Sequence, residues 1–265
     1  MPYARFGVHR LYYEVDAFTD PWREPETICL LHGNGRSTAM WYAWVPRLAG
    51  EYRVVRLDAL GHGRSSVPRR YRFSPAGGAH EVLAVLDHAR LERVHLVGEA
   101  TGGIVAIQAA CDHPDRVASL TLISTPIRVR GERRALFARW DRMLATLSAR
   151  DWYQANMDLR LDARGTGRAR IAWLTNELGK TPRHVVKAVI HYEVTLDLTD
   201  RLPRVSAPTL IMAPTAGAIA SKEDVDLAYK LIPRSEVYLI ESRFHHVLLT
   251  HPDHCTRALL RFLRR

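Results

Sequence analysis

Three cysteines are all that the 265 residues hold, and Cys29, Cys111 and Cys255 lie far apart in apolar surroundings. That number and spacing exclude a disulfide framework and offer no cysteine metal site. They are the pattern of reduced thiols in a cytoplasmic protein. No run of about 18 apolar residues occurs, so no membrane-spanning helix is expected. Met1 to Arg10 carries charge and Gly7 but no apolar stretch, so no signal peptide is expected either. Internal repeats and low-complexity tracts are missing, which excludes solenoids and fibrous arrays. Aromatic residues do not interleave with the basic ones, and Arg69-Arg70 and Arg133-Arg134 are only local clusters. The net charge of +10 therefore reads as a solvated, arginine-rich surface and not as a nucleic-acid groove.

What the chain does contain is an ordinary globular composition, 47% hydrophobic and 25% charged, at a length suited to one large domain with an insertion. Short apolar runs at Thr27–Leu31, Arg53–Leu57, Val94–Val97 and Val117–Ile123 read as buried strands. Helical spacing at Thr38–Leu48, Glu81–Ala89 and Ile104–Cys111 falls between them, and Arg5 to Val15 reads as a hairpin around Gly7. Alternation of this kind predicts an α/β fold with a mostly parallel, doubly wound sheet. It stops after the sixth strand. Residues 127–203 show only helical periodicity and contain three of the six tryptophans. They predict a helical lid inserted into a core made of residues 1–126 and 204–265. Thr209–Ala213 and Glu236–Ile240 resume the strands, with helices at Glu223–Leu231 and His254–Leu263.

Between a strand and a helix stands Gly98-Glu99-Ala100-Thr101-Gly102-Gly103. A G-x-S-x-G turn in that setting forces its central residue into a strained conformation that lifts the side chain above the sheet, and it needs small residues two before and two after. Gly98 and Gly102 meet that need, and only the central hydroxyl is missing. Alanine at positive φ costs on the order of 1 kcal/mol with no compensating hydrogen bond. A dinucleotide loop is a poor alternative, because the G-x-G-x-x-G spacing is not met.

Four further motifs stand in order along the chain: His32-Gly33-Asn34-Gly35, Asp58 with Gly61-His62-Gly63-Arg64-Ser65, His113-Pro114-Asp115-Arg116-Val117, and Ala207-Pro208-Thr209-Leu210-Ile211. Together with the Gly98–Gly102 turn, they make the chain resemble the α/β-hydrolase fold superfamily over essentially its whole length. The resemblance implies an oxyanion hole built from the backbone amides of Asn34 and Thr101, beside Gly33, with Thr101 at the positive end of a helix dipole. It also implies that Ala100 occupies the nucleophile position.

His245 is singled out as the base because it follows the last strand and precedes Pro252 by seven residues. Its neighbour His246 is the second choice. The run His245, His246, His251, His254 has no acidic or cysteine partner at ligand spacing, so no metal and no other cofactor is expected. The acid is where the pattern fails. Pro214-Thr215-Ala216-Gly217 stands where relatives carry G-x-x-D, and Ser124-Thr125-Pro126-Ile127 is also without a carboxylate. The acid has either moved or gone. Glu223 is the nearest candidate, although its place at the start of a helix suits a dipole-favouring role as well.

Trp140, Trp152, Met157 and Trp173 are expected to line the substrate pocket from the lid, whereas Arg128, Arg130, Arg133 and Arg134 are expected at the surface. The implied function is a serine hydrolase that cleaves a small-molecule carboxylic ester or lactone through an acyl-enzyme, present in a nucleophile-to-Ala form. Its alternatives are a natural pseudoenzyme or ligand-binding protein on the same scaffold, and a lyase or oxygenase using His245 alone. Neither nucleic acid nor membrane is an expected partner, and a homodimer is left open.

Overall fold

Eight strands form one sheet in the order β1-β2-β4-β3-β5-β6-β7-β8. The computed structural model describes residues 3–163 and 165–265; Met1 and Pro2, at the head of the segment read for a signal peptide, lie outside them. β1 (Tyr3–Phe6) and β2 (His9–Asp16) make the hairpin around Gly7, and β2 runs antiparallel to its inner neighbour β4. β3 (Thr27–Leu31), β4 (Arg53–Leu57), β5 (Val94–Glu99), β6 (Val117–Ile123), β7 (Thr209–Pro214) and β8 (Ser235–Ile240) are all parallel. Every residue of β3, β5 and β7 is buried, as a strand covered on both faces must be.

The helices are α1 (Val45–Leu48), α2 (Pro75–His88), α3 (Thr101–Asp112), α4 (Gly131–Met143), α5 (Ala149–Gln154), α6 (Arg168–Gly179), α7 (Arg183–Glu193), α8 (Lys222–Leu231), α9 (Val247–Thr250) and α10 (Pro252–Leu263). The stretch read as one helix from Thr38 to Leu48 is two pieces, a 3-10 turn at Thr38–Trp41 and then α1. Pro46 is the reason: it lacks an amide proton and is tolerated only in a first turn, so the helix restarts around it. α2 begins at Pro75, six residues before the expected start, with the Ser74 hydroxyl accepting from the Gly77 amide. Among the described residues no helix is long and apolar enough to cross a membrane.

Between β6 and β7 run α4, α5, α6 and α7, with α4 packed on α7 and α5 on α6. Where this segment leaves and rejoins the sheet its two ends zip together: Val129 N donates to Leu196 O at 2.9 Å and Leu198 N to Ile127 O at 3.0 Å. Phe137, Trp140, Trp152 and Tyr153 are buried inside it. Burial of side chains this large is worth roughly 2–3 kcal/mol each, which holds the four helices against the carboxyl edge of the sheet. Leu31, Leu57, Glu99 and Ile123 are adjacent across that edge, so the loops that follow them converge.

Candidate active site

Ala100 sits at the junction of β5 and α3 with φ 49° and ψ −114°, one of three non-glycine residues at positive φ among the described ones. Its neighbours explain how that conformation is enforced. A Cβ on Gly98 would stand 2.6 Å from the Gly103 Cα, and one on Gly102 would stand 2.7 Å from the His32 carbonyl oxygen. Backbone crowds both glycines, so the turn can close only where side chains are absent. Strain at residue 100 of about 1–3 kcal/mol is therefore held by the packing of β3, β5 and α3, whatever side chain residue 100 displays.

Neither the Asn34 nor the Thr101 amide finds an acceptor among the described residues, which leaves both free to face a ligand. The side chains of these two residues are engaged elsewhere. Asn34 Nδ2 donates to the Val186 carbonyl at 3.0 Å, and Thr101 Oγ1 donates to Glu193 Oε1 at 2.8 Å. Both acceptors belong to α7. Gly33 lines the adjoining chamber, and a Cβ there would lie 3.2 Å from Glu99 Cδ.

His245 and Ala100 line one pocket together with Asn34, Thr101, Arg160 and Glu193. A second chamber, with walls from Leu31, Leu57, Tyr71, Phe73, Val82 and Val105, shares Asn34 and Thr101 with the first. The His245 loop is fixed from two sides. Ser124 Oγ donates to the His245 carbonyl at 2.8 Å, and the amides of His245 and His246 donate to the carbonyls of Leu159 and Arg160 at 3.2 and 3.1 Å. Ser124 lies just past β6 at φ 46°, so a strained residue also anchors this loop. His246 is fully buried, does not line the pocket, and stacks on Tyr153 with an 11° angle between rings. Burial holds both imidazoles well below the usual histidine range, His245 with help from His246, and His246 with help from the Arg36 and Arg160 cations.

The carboxylate nearest these histidines is Glu99, the residue before Ala100. Its Oε1 lies 3.8 Å from His245 Nε2 and 3.4 Å from His246 Nδ1. Arg36, directly after the Gly33–Gly35 loop, reaches the same oxygen with Nη1 at 2.9 Å and lays Nη2 against the His246 ring. The two charged side chains are 7% and 1% exposed, so this is a buried ion pair. Glu99, His245 and His246 bring three possible metal-ligand atoms within 4.8 Å of one another. The Arg36 guanidinium already neutralises Glu99 there and crowds His246, so the donor set fits the protein's own cation better than a metal ion.

Glu223 is a correction to the sequence-based expectation. Its carboxylate is about half exposed, pairs with Arg128, and touches neither His245 nor the pocket. Its neighbour Asp224 caps α8, receives the Ile127 and Arg128 amides, and pairs with Arg133. Trp140 and Trp152 do line the pocket. Met157, which is buried, and Trp173, which packs edge-on against Tyr42 at 5.3 Å, do not line it.

Sequence reasoning missed four buried groups: Arg36, Glu99, Arg160 and Glu193. Arg36 follows one motif already noticed and Glu99 lies inside another, and a charge at a buried strand end was the available signal. The other two come from the helical insertion, where nothing in the spacing marked them. Burial raises the Glu193 carboxyl to about 7 and lowers Arg160 to about 10.

Comparison with known proteins agrees with this fold. The alpha/beta hydrolase fold family pattern matches residues 26–252. The chain is 30% identical over 248 residues to a pimeloyl-[acyl-carrier protein] methyl ester esterase of Aeromonas hydrophila subsp. hydrophila, covering 89% of this chain and 94% of the relative. In structure it superposes on the enol-lactonase from Burkholderia xenovorans LB400 with a TM-score of 0.90 and 21% identity, over 100% of both chains. An esterase from Exiguobacterium antarcticum superposes with a TM-score of 0.89 and 18% identity over 99% of both.

Proposed function

The chain belongs to the alpha/beta hydrolase fold family, and from that premise we propose that it binds a small carboxylic ester or lactone at a serine-hydrolase site whose nucleophile position carries Ala100. Residues 127–203 form the lid over that site. The observation that carries the reading is the strained turn at residue 100, beside two free amides and in the same pocket as His245.

In the serine form, a hydroxyl on residue 100 attacks the ester carbonyl while neutral His245 takes its proton. The carbonyl oxygen becomes negative under the Asn34 and Thr101 amides, and the amide at the start of α3 adds the field of the helix dipole. His245 then protonates the leaving alcohol, and water releases the acyl group by the same steps. With a methyl group at residue 100 no acyl-enzyme forms. Loss of the nucleophile costs about 10⁶-fold in turnover, while pocket and donors are untouched.

One observation favours a second reading, a natural ligand-binding protein on the same scaffold. His245 Nδ1 is buried with no hydrogen-bond partner, and the carboxylate closest to His245 is committed to Arg36. The base is thus without the orienting group that an active triad supplies. Ala100→Ser separates the two readings. Under the hydrolase reading this variant cleaves p-nitrophenyl acetate and is labelled at residue 100 by an organophosphonate. A variant inert to both reagents, with an unchanged Tm, refutes the hydrolase reading and leaves the ligand-binding one.

A further inference from the structure

Arg160 is 5% exposed, yet no described carboxylate pairs with it. Its guanidinium lies 4.7 Å from the ring centres of both Trp140 and Trp152 and 5.4 Å from that of Tyr153. These rings crowd the cation with apolar surface, and cation–π attraction alone replaces water poorly for a buried charge. Nη1 donates to the Asn156 carbonyl at 2.8 Å, the single acceptor that the described residues offer it. What remains is the rest of the guanidinium fork.

The aromatic box is itself held rigidly. Trp140 Nε1 donates to Asn156 Oδ1 at 2.6 Å, and Asn156 Nδ2 donates to the Trp152 carbonyl at 2.7 Å. Trp152 is 3% exposed and lines the pocket, but its own indole N–H has no acceptor. The Trp152 indole N–H is therefore a buried donor without an acceptor at the wall of a ligand pocket, and beside it stands a guanidinium with one acceptor among the described residues, the Asn156 carbonyl. Native interiors rarely leave such donors empty. The two carboxyl groups beside this wall are already engaged, Glu193 with the Thr101 hydroxyl and Glu99 with Arg36.

We propose that Arg160 and the Trp152 indole N–H form an anion subsite that holds a free carboxylate of the ligand, so that the site takes an ester or lactone which also carries a carboxylate. A carboxylate suits the geometry better than a tetrahedral anion. It is planar and matches the planar fork of a guanidinium, with the second oxygen open to the indole N–H. The carboxylate subsite and the amides of Asn34 and Thr101 lie in one pocket, so a ligand spanning both is fixed at two points. This assignment rests on the reading of the Ala100 pocket as the ligand site, but not on turnover there.

The test is calorimetric titration of the chain as it stands, in which Ala100 prevents consumption of the ligand. Monomethyl adipate and dimethyl adipate differ only in the free carboxylate. The expected result is at least tenfold tighter binding of the monoester, with inorganic phosphate a poor competitor. Arg160→Gln removes that preference, Arg160→Lys retains part of it, and Trp152→Phe, which removes the N–H donor along with part of the ring, cuts it about threefold. Equal affinity for the two esters overturns the proposal, as does no saturable binding of either, an unchanged preference in Trp152→Phe, or phosphate competing as well as the monoester. Should Arg160→Gln fail to fold, as judged by its Tm, the two-ester comparison and Trp152→Phe still decide the matter. An Ala100→Ser variant that is inert while the carboxylate preference persists sinks the hydrolase reading alone. One that cleaves esters without any carboxylate preference sinks the subsite alone.

Discussion

Replacing Arg36 by methionine should destabilise the fold by stranding a buried carboxylate. Arg36 Nη1 is the hydrogen-bonded partner of Glu99 Oε1, at 2.9 Å, and Glu99 Oε2 has none. Without the guanidinium, a carboxylate that is 1% exposed loses the cation beside it. Breaking one side of such a pair costs about 3–5 kcal/mol, because the charge left behind remains desolvated. Urea unfolding of Arg36→Met at pH 7.5 should therefore show a loss of about 4 kcal/mol. Arg36→Met/Glu99→Gln leaves neither charge, and its loss should be at least 2 kcal/mol smaller than the sum of the single losses. Additive single losses would refute the reasoning.

Two other substitutions follow from the same geometry. Ala100→Gly removes the Cβ strain at φ 49°, worth about 1–3 kcal/mol, and loses about 0.5–1 kcal/mol to backbone freedom, so calorimetry should show a Tm raised by a few degrees. A lowered Tm would mean that the turn is not strained. Glu193→Gln keeps an acceptor for the Thr101 hydroxyl but removes a carboxyl that burial raises from 4.5 to about 7. The folded state binds the extra proton between those values, so wild-type stability falls as pH rises through them. The variant should accordingly be more stable than wild type at pH 7, and that advantage should shrink by about 2 kcal/mol at pH 5. Urea midpoints at the two pH values check this, and a pH-independent difference rejects it.

Much of the fold could be read from residue order because its determinants are local. Strands buried on both faces appear as short apolar runs, and the glycines at 98 and 102 mark a turn that no other residue allows. Local reading failed where packing between distant segments decides. The start of α2 went unseen, because the helical spacing was legible only from Glu81 onward. A Cβ on Gly78 would lie 2.6 Å from Val105 Cγ2, so the close approach of α2 and α3 requires that glycine inside a helix. The polar surroundings of His245 were hidden for a similar reason. Arg36 and Glu99 are 63 residues apart, and Thr101 and Glu193 are 92 apart. Only the closed sheet with its helical insertion makes them neighbours. Glu223 drew attention by its position in the chain, but the fold turns it outward to Arg128.

The two bonds from Asn34 and Thr101 to α7 have a mechanical corollary. If that helix swung outward like a door to admit a ligand, it would first have to release the side chains of both residues whose amides await the ligand. Opening and arming would then be mutually exclusive states, and the site would be competent only once the latch had fallen.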